Sequence, residues 1–185
     1  MVKLTALKIK SLSLEDLNSL IELDQVCFDG LWTADGYIRE LESPNSYFLG
    51  IFPPCSHELL GMGCFWSILE EAHITILAVH PQYQNQGLGQ ALLYSVLKTA
   101  SEVGLERATL EVRVSNHCAI SLYQKFGFQT AGKRPRYYTD NDEDALILWL
   151  SNLQHPQFNE TLQVWDEMVT KRLSQSLLDL SQMEI

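Results

Sequence analysis

The residues best suited to chemistry lie where an apolar run meets a glycine turn. Ala72 to Val79 is largely apolar, and His80-Pro81-Gln82-Tyr83-Gln84-Asn85-Gln86 links it to Gly87-Leu88-Gly89-Gln90 and an amphipathic helix. A helix start carries free backbone N–H groups and the positive end of a dipole. Gly87 and Gly89 lack Cβ atoms, so a ligand can approach that backbone closely. Gln84, Asn85, Gln86, Gly87, Leu88, Gly89 and Gln90 together read as an anion cradle, best matched to a phosphate or diphosphate. Two glycines before a helix also suit an ordinary loop–helix junction, and this feature alone leaves the two readings even.

Spacing tests the nucleotide motifs. A Walker P-loop ends in Gly-Lys-Ser/Thr, whereas Gln90 follows Gly89. A Rossmann fingerprint requires a third glycine where Leu92 stands and a first glycine at the strand end, whereas Pro81 and its neighbours separate Val79 from Gly87. Glu111 lies at a distance suited to a ribose ligand, but the rest of that fingerprint fails. What remains is a diphosphate site without a lysine or a magnesium ligand. Such a site holds a cofactor without cleaving its phosphates.

The elements that position this turn are legible from periodicity. Leu7 and Ile9 alternate with Lys8 and Lys10 as a first strand. Ser13 and Asp16 form a capping-box pair ahead of a helix, and Thr33 caps a second helix ending near Leu41. Tyr47–Phe52, Leu59–Leu69 and Ala72–Val79 read as strands. The last is apolar on both faces and therefore central, and Gly61 and Gly63 allow a bend or bulge. Thereafter Gly87–Glu102 and Asn116–Phe126 read as helices, and Ala108–Val112, Phe128–Lys133 and Ala145–Leu150 as strands. The expectation is a mixed α/β fold, one sheet of about six or seven strands flanked by about four helices. It forms one domain over 1–150. From Ser151 a 151–185 extension carries Leu162, Trp165, Val169, Leu173 and Leu177 at helical spacing, a C-terminal helix expected to dock on the domain.

Composition narrows the function classes. The 185 residues are 46% hydrophobic and 19% charged, which excludes a disordered or fibrous chain. Asp and Glu number 23 against 13 Lys and Arg, a net charge of −10. That sign repels nucleic acid and anionic lipid and attracts cationic partners such as basic peptides. No apolar run reads as a signal peptide or a membrane span, so the expected location is cytoplasmic. Cys27, Cys55, Cys64 and Cys118 lack zinc spacing and are expected as free thiols, with no metal bound.

The motif now becomes specific. Gln84-x-x-Gly87-x-Gly89 resembles the acetyl-CoA signature of the GNAT acetyltransferase superfamily, and Ile76-Leu77-Ala78-Val79 resembles that family's central strand, whose backbone pairs with the pantetheine arm. Leu110 to Asn116, Ala119 to Tyr123, Phe126-Gly127-Phe128, Arg136-Tyr137-Tyr138 and Glu143-Asp144-Ala145 continue the likeness, as do Cys27-Phe28 and Trp32-Thr33. The pattern is most similar to bacterial ribosomal-protein-alanine N-acetyltransferases and covers about residues 5–150. Gln84-Asn85 stands where relatives often carry Arg-Gly, and Asn85 is expected to take a positive φ, which Asn tolerates. The extension after Ser151 has no counterpart in the short bacterial enzymes.

The resemblance implies acetyl-CoA as co-substrate and assigns roles. An amine must be neutral to be acetylated: an α-amino group is neutral in roughly one molecule in ten at pH 7, a lysine in about one in a few thousand. Glu111 is the implied base, acting through water; the residues alone equally allow a strand carboxylate pairing with Arg113. Tyr123 is the implied acid for the departing thiolate, against a packed aromatic beside Phe126 and Phe128. Asn116 suits both a helix cap and a donor to the pantetheine arm, and Tyr123 is counted with the cofactor site too. A backbone N–H near Val79 is the implied donor to the thioester oxygen. Tyr137 and Tyr138, in a polar loop, and Trp32, from the second helix, are implied to line the peptide site; core packing is the alternative for Trp32. His73, His80 and His117 lack a partner pattern and read as structural.

The expected function is therefore acetyl transfer to a protein N-terminal α-amine, with the N-terminal alanine of a small-subunit ribosomal protein as acceptor. Transfer to a small-molecule amine or lysine side chain is the alternative. A non-catalytic acyl-CoA-binding module is the third reading, disfavoured by the presence of Glu111 and Tyr123.

Overall fold

Strand-period alternation places Leu7 and Ile9 of the first strand inward, both essentially inaccessible, and leaves the flanking lysines at the rim. The computed structural model describes residues 5–184, with side chains from Thr5 to Leu180. The strands are β1 (Thr5–Ser11), β2 (Ser46–Phe52), β3 (Gly61–Ile68), β4 (Glu71–Val79), β5 (Arg107–Arg113), β6 (Gln129–Tyr138), β7 (Glu143–Leu150) and β8 (Leu178–Glu184). The helices are α1 (Leu17–Phe28), α2 (Ala34–Glu42), α3 (Leu88–Glu102), α4 (His117–Lys125) and α5 (Phe158–Ser174). The strands form one mixed sheet in the order β6-β7-β5-β4-β3-β2-β1-β8, so β4 is central, as its apolar composition predicts.

Local chemistry sets the helix starts. Thr33 Oγ1 accepts the Gly36 N–H at 3.1 Å, and Asn116 Oδ1 accepts the Ala119 N–H at 3.1 Å. The Ser13–Asp16 box forms through the Ser13 N–H and Asp16 Oδ2 at 3.0 Å, but it opens a single 3₁₀ turn over Leu14–Asp16 before α1 begins.

The sheet divides the core in two. Leu92, Val96, Phe126, Trp165 and Leu173 belong to the cluster beneath α3 and α5, whereas Leu20, Tyr37 and Met62 belong to the cluster beneath α1 and α2. Ile74 lies in the first cluster and Ile76 in the second, although two-residue periodicity would put them on one face. The register gives the cause. Ile74 pairs with Phe65 and Ile76 with Cys64, so Thr75 is an extra residue in β4, a bulge. The glycine-permitted bulge expected on β3 therefore falls on its partner.

Pairing between β4 and β5 is parallel and confined to three steps, from Glu71↔Arg107 to His73↔Thr109. Beyond His73 the two strands part, while β5 stays paired to β7 through Arg113. The backbone of β4 from Ile74 to Val79 thus lacks a β5 partner and borders a cleft.

Three expectations need correction. The sheet has eight strands rather than six or seven. The added strand comes from the extension: the helical stripe ends before Leu177, which has a φ of 60°, and the chain then pairs in parallel with β1, from Thr5↔Leu178 to Lys10↔Glu184. This pairing covers the otherwise open edge of β1. Tyr137 and Tyr138 stand at the end of β6 rather than in a loop. β6 continues past a register shift between Arg134 and Tyr138, where Arg136 takes a φ of 49° and its N–H donates to Asp144 Oδ1 at 2.8 Å.

Candidate active site

The glycine turn adopts the backbone that its residues permit. Asn85 has a φ of 60°, the left-handed conformation expected of it, and Gly87, at the N-cap of α3, has a φ of 101°. The first α3 bond runs from the Ala91 N–H to the Gly87 carbonyl, so the N–H groups of Leu88, Gly89 and Gln90 have no acceptor within the helix. Gln84 Nε2 donates to the Val79 carbonyl at 3.1 Å and Gln86 Nε2 to the Gln82 carbonyl at 3.2 Å, lashing the turn to the strand end.

Beside this turn lies a groove of about 470 Å³, walled on the far side by α4. Val79, Gln84, Asn85, Gly87, Gly89, Gln90 and Asn116 line it, as the sequence suggests. A Cβ added to Gly89 would stand 3.5 Å from Leu122 and 3.8 Å from Val79, so the missing methyl leaves groove space for a ligand. Leu88 is 1% exposed and packs in the core, so only its backbone can serve a ligand. Ala78 is buried and Leu77 half-buried against the core. Sequence reasoning missed Lys125 and Arg172, which also line the groove. Their signal, two cations in an acidic chain, is weak without the fold.

Glu111 sits on β5 two residues beyond the last β4–β5 pair, with its side chain only 8% exposed. His73 Nε2 is 3.2 Å from Glu111 Oε2, and Arg134 Nη2 is 3.0 Å from Oε1. Arg113 is not its partner; it pairs with Asp140 at 2.9 Å and Glu143 at 3.1 Å. Glu143 also accepts the Ser115 N–H, and its carboxyl is held down to about 2.

His73, which reads as structural from the sequence, gains charged and polar partners in the fold. The Thr109 hydroxyl donates to Glu71 Oε1 at 2.6 Å, so its oxygen is free to accept from His73 Nδ1 at 3.1 Å. Nδ1 then carries a proton. A bare Nε2 lone pair would face a carboxylate oxygen, so Nε2 carries one too. The geometry thus favours an imidazolium. The hydrogen bond to Glu111 raises the His73 pKa, against some desolvation, and the same bond holds Glu111 below the usual carboxylate range.

The aromatic residues flank this pair. The Trp66 ring stacks on His73 at 6.1 Å between centroids, and Trp66 and Trp32 line one shallow depression. Trp32 also packs on Tyr37 at 5.2 Å, so it serves core and surface together. On the other side, the Arg134 guanidinium lies 5.5 Å from the Tyr137 ring, which is 43% exposed, and Arg113 covers Tyr138 at 3.9 Å. Tyr137 is therefore linked to Glu111 through Arg134 alone, whereas Trp32 is linked to it through Trp66 and then His73. Tyr123 is buried on α4 with its ring edge-to-face on Phe128 at 5.7 Å. Burial pushes its phenol pKa well up, which keeps the hydroxyl protonated.

The chain is similar in sequence and fold to known proteins. The model of the Acetyltransferase (GNAT) family matches residues 17–128. A Bacillus subtilis protein, provisionally named a ribosomal protein bS18-alanine N-acetyltransferase, is 40% identical over 148 residues, covering 80% of this chain and 97% of the relative. The crystal structure of the ribosomal-protein-S18-alanine N-acetyltransferase from Escherichia coli superposes with a TM-score of 0.72 at 31% identity, covering 79% of this chain and 94% of that one. Ard1 from Thermoplasma volcanium gives a TM-score of 0.70 at 27% identity, covering 80% and 98%. With a family match spanning the glycine turn, the parted strands and Glu111, the chain belongs to the GNAT acetyltransferase family.

Proposed function

We propose that this acetyltransferase moves the acetyl group of acetyl-CoA to the N-terminal α-amine of a protein, and that its acceptor is the N-terminal alanine of a small-subunit ribosomal protein. The observation that carries the reading is Glu111: a nearly buried carboxylate, held ionised by His73 and Arg134, on β5 just beyond the point where that strand parts from β4. The names of the Bacillus subtilis and Escherichia coli proteins supply the acceptor.

Acetyl-CoA, when bound, supplies an acetyl group activated as a thioester. The groove residues Gln84, Asn85, Gly87, Gly89, Gln90 and Asn116, with the Leu88 backbone, would hold its phosphates and arm, and the β4 backbone that lacks a β5 partner its extended chain. The α-ammonium of the acceptor has a pKa of about 7.7–8, so removing its proton to a carboxylate is uphill. Glu111 therefore orients the N–H, directly or through water, and passes the proton outward while the neutral amine is held at the cleft. A protonated Tyr123 donates a hydrogen bond to the departing sulfur. With its pKa raised, it is a weaker acid than a thiol of pKa about 8.5, so its part is to stabilise charge more than to surrender the proton outright. Fixed geometry contributes most: holding two reactants together is worth about 7–11 kcal/mol.

The test is acetyl transfer from acetyl-CoA to a short alanine-starting peptide. Turnover should fall by about 10²-fold or more in Glu111→Gln. A preference for polyamines or lysine side chains would support the small-amine alternative instead. CoA binding without transfer to any amine would support a binding module.

A further inference from the structure

The C-terminal extension reaches the cradle. Trp165, Val169 and Leu173 of α5 are buried in the same core cluster as Leu92 and Phe126, and the Trp165 and Phe126 rings lie 5.0 Å apart. This docking sets the last turn of α5 against Gly87. A Cβ added to Gly87 would come within 3.0 Å of Arg172 Cγ and 3.2 Å of Leu173 Cδ2. The Arg172 Nη2 donates to the Asn85 carbonyl, and its Nη1 donates to Ser176 Oγ at 3.2 Å. The guanidinium is thus held from both sides on the rim of the groove that it lines.

Charge sharpens the picture. The groove lining contains Lys125 and Arg172 and no carboxylate, in a chain with a net charge of −10. Among the described residues, Arg172 makes no ion pair, although Arg107, Arg113 and Arg134 all do. A guanidinium has five N–H donors in a planar fork that matches phosphate oxygens. Two partners here leave donors to spare, beside the unpaired N–H groups of Leu88, Gly89 and Gln90.

We propose that Arg172, delivered by the C-terminal extension, is a ligand for the diphosphate of coenzyme A. The inference rests on the acetyl-CoA reading above and adds to it a residue outside the matched family region, which ends at residue 128. It also gives the extension a role in the site. The match to the Bacillus subtilis relative leaves a fifth of this chain uncovered while using 97% of the relative. The diphosphate, rather than a more distal phosphate, is assigned because the guanidinium is fixed at Asn85, on the turn whose N–H groups converge at the start of α3.

The test is calorimetric titration of the full chain with CoA and with 3′-dephospho-CoA. Arg172→Gln should weaken both by about tenfold to a hundredfold, the size of a lost charge-assisted contact. Lys171→Gln, which removes the same charge from the exposed neighbouring position, should leave both unchanged. Arg172→Lys, which preserves the charge and the stem, should give an intermediate loss, and thermal unfolding of each variant reports whether α5 stays docked. Unchanged CoA affinity in a folded Arg172→Gln variant would overturn the proposal and leave Arg172 as a cap on the end of α5, with the acetyl-CoA reading intact. A loss confined to CoA and absent with dephospho-CoA would overturn the diphosphate assignment. Failure of the unmodified chain to bind either ligand would overturn the acetyl-CoA reading itself.

Discussion

His73 Nε2 lies 3.2 Å from Glu111 Oε2 across the point where β4 and β5 separate. The last ladder step, His73↔Thr109, therefore places a cation beside the carboxylate at the mouth of the cleft. The two groups move each other's pKa in opposite directions, His73 up and Glu111 down.

Replacing His73 should shift the pH dependence of turnover. The hydrogen bond from His73 is the largest cause of the depressed Glu111 pKa. In His73→Gln, Glu111 returns toward the usual carboxylate range, so the acid limb of kcat/KM moves to higher pH. A kcat/KM profile from pH 4 to 9 reads this directly, and an unmoved acid limb would contradict the assigned ion pair.

The same pair makes stability depend on pH in a defined window. A lowered Glu111 pKa contributes stability above the unfolded carboxylate value of about 4.3, and this is lost as pH falls through the folded value. A raised His73 pKa contributes stability below about 6.5, and this is lost as pH rises through the folded value. The difference between the unmodified chain and His73→Gln should be largest between about pH 4.3 and 6.5, at about 1 kcal/mol, and shrink as the pH rises through the raised His73 value. Urea denaturation across that range measures it.

Tyr123→Phe removes one hydroxyl from a buried ring and keeps its packing on Phe128. The fold should survive, and kcat should fall by about 10²-fold while CoA affinity changes little. Parallel loss of stability and activity would instead indicate a packing role alone.

Trp165→Ala should show how firmly the extension is anchored. The indole is 7% exposed and contacts both Phe126 and Phe158, at 5.0 and 5.6 Å between centroids. Its loss should cost about 3–5 kcal/mol in chemical denaturation.

Gly87→Ala probes the turn itself. A side chain at a φ of 101° is strained, and its Cβ would press on the Arg172 stem. A cost of about 1–2 kcal/mol and weaker CoA binding are expected.

Local signals carried much of this architecture. Capping residues Thr33 and Asn116, the apolar centre at β4 and the left-handed Asn85 were legible because each depends on neighbours within a few residues. The missed features depend on register between distant segments. Thr75 becomes a bulge only through pairing with Cys64 and Phe65. His73 meets Glu111 across two strands, 38 positions apart in sequence. Arg172 reaches Asn85 over 87 positions. The alternation of Leu178 and Leu180 did carry a strand signal, but the helical stripe ahead of it, extended to Leu177, masked the change of period.

The most direct measurement is site-resolved mass spectrometry of a peptide with an N-terminal alanine and an internal lysine, incubated with acetyl-CoA and the unmodified chain or Glu111→Gln. One acetyl group on the α-nitrogen is expected with the unmodified chain, and about 10²-fold less with the variant. Acetylation of the lysine in preference to the α-nitrogen, or equal turnover by both proteins, would contradict that expectation.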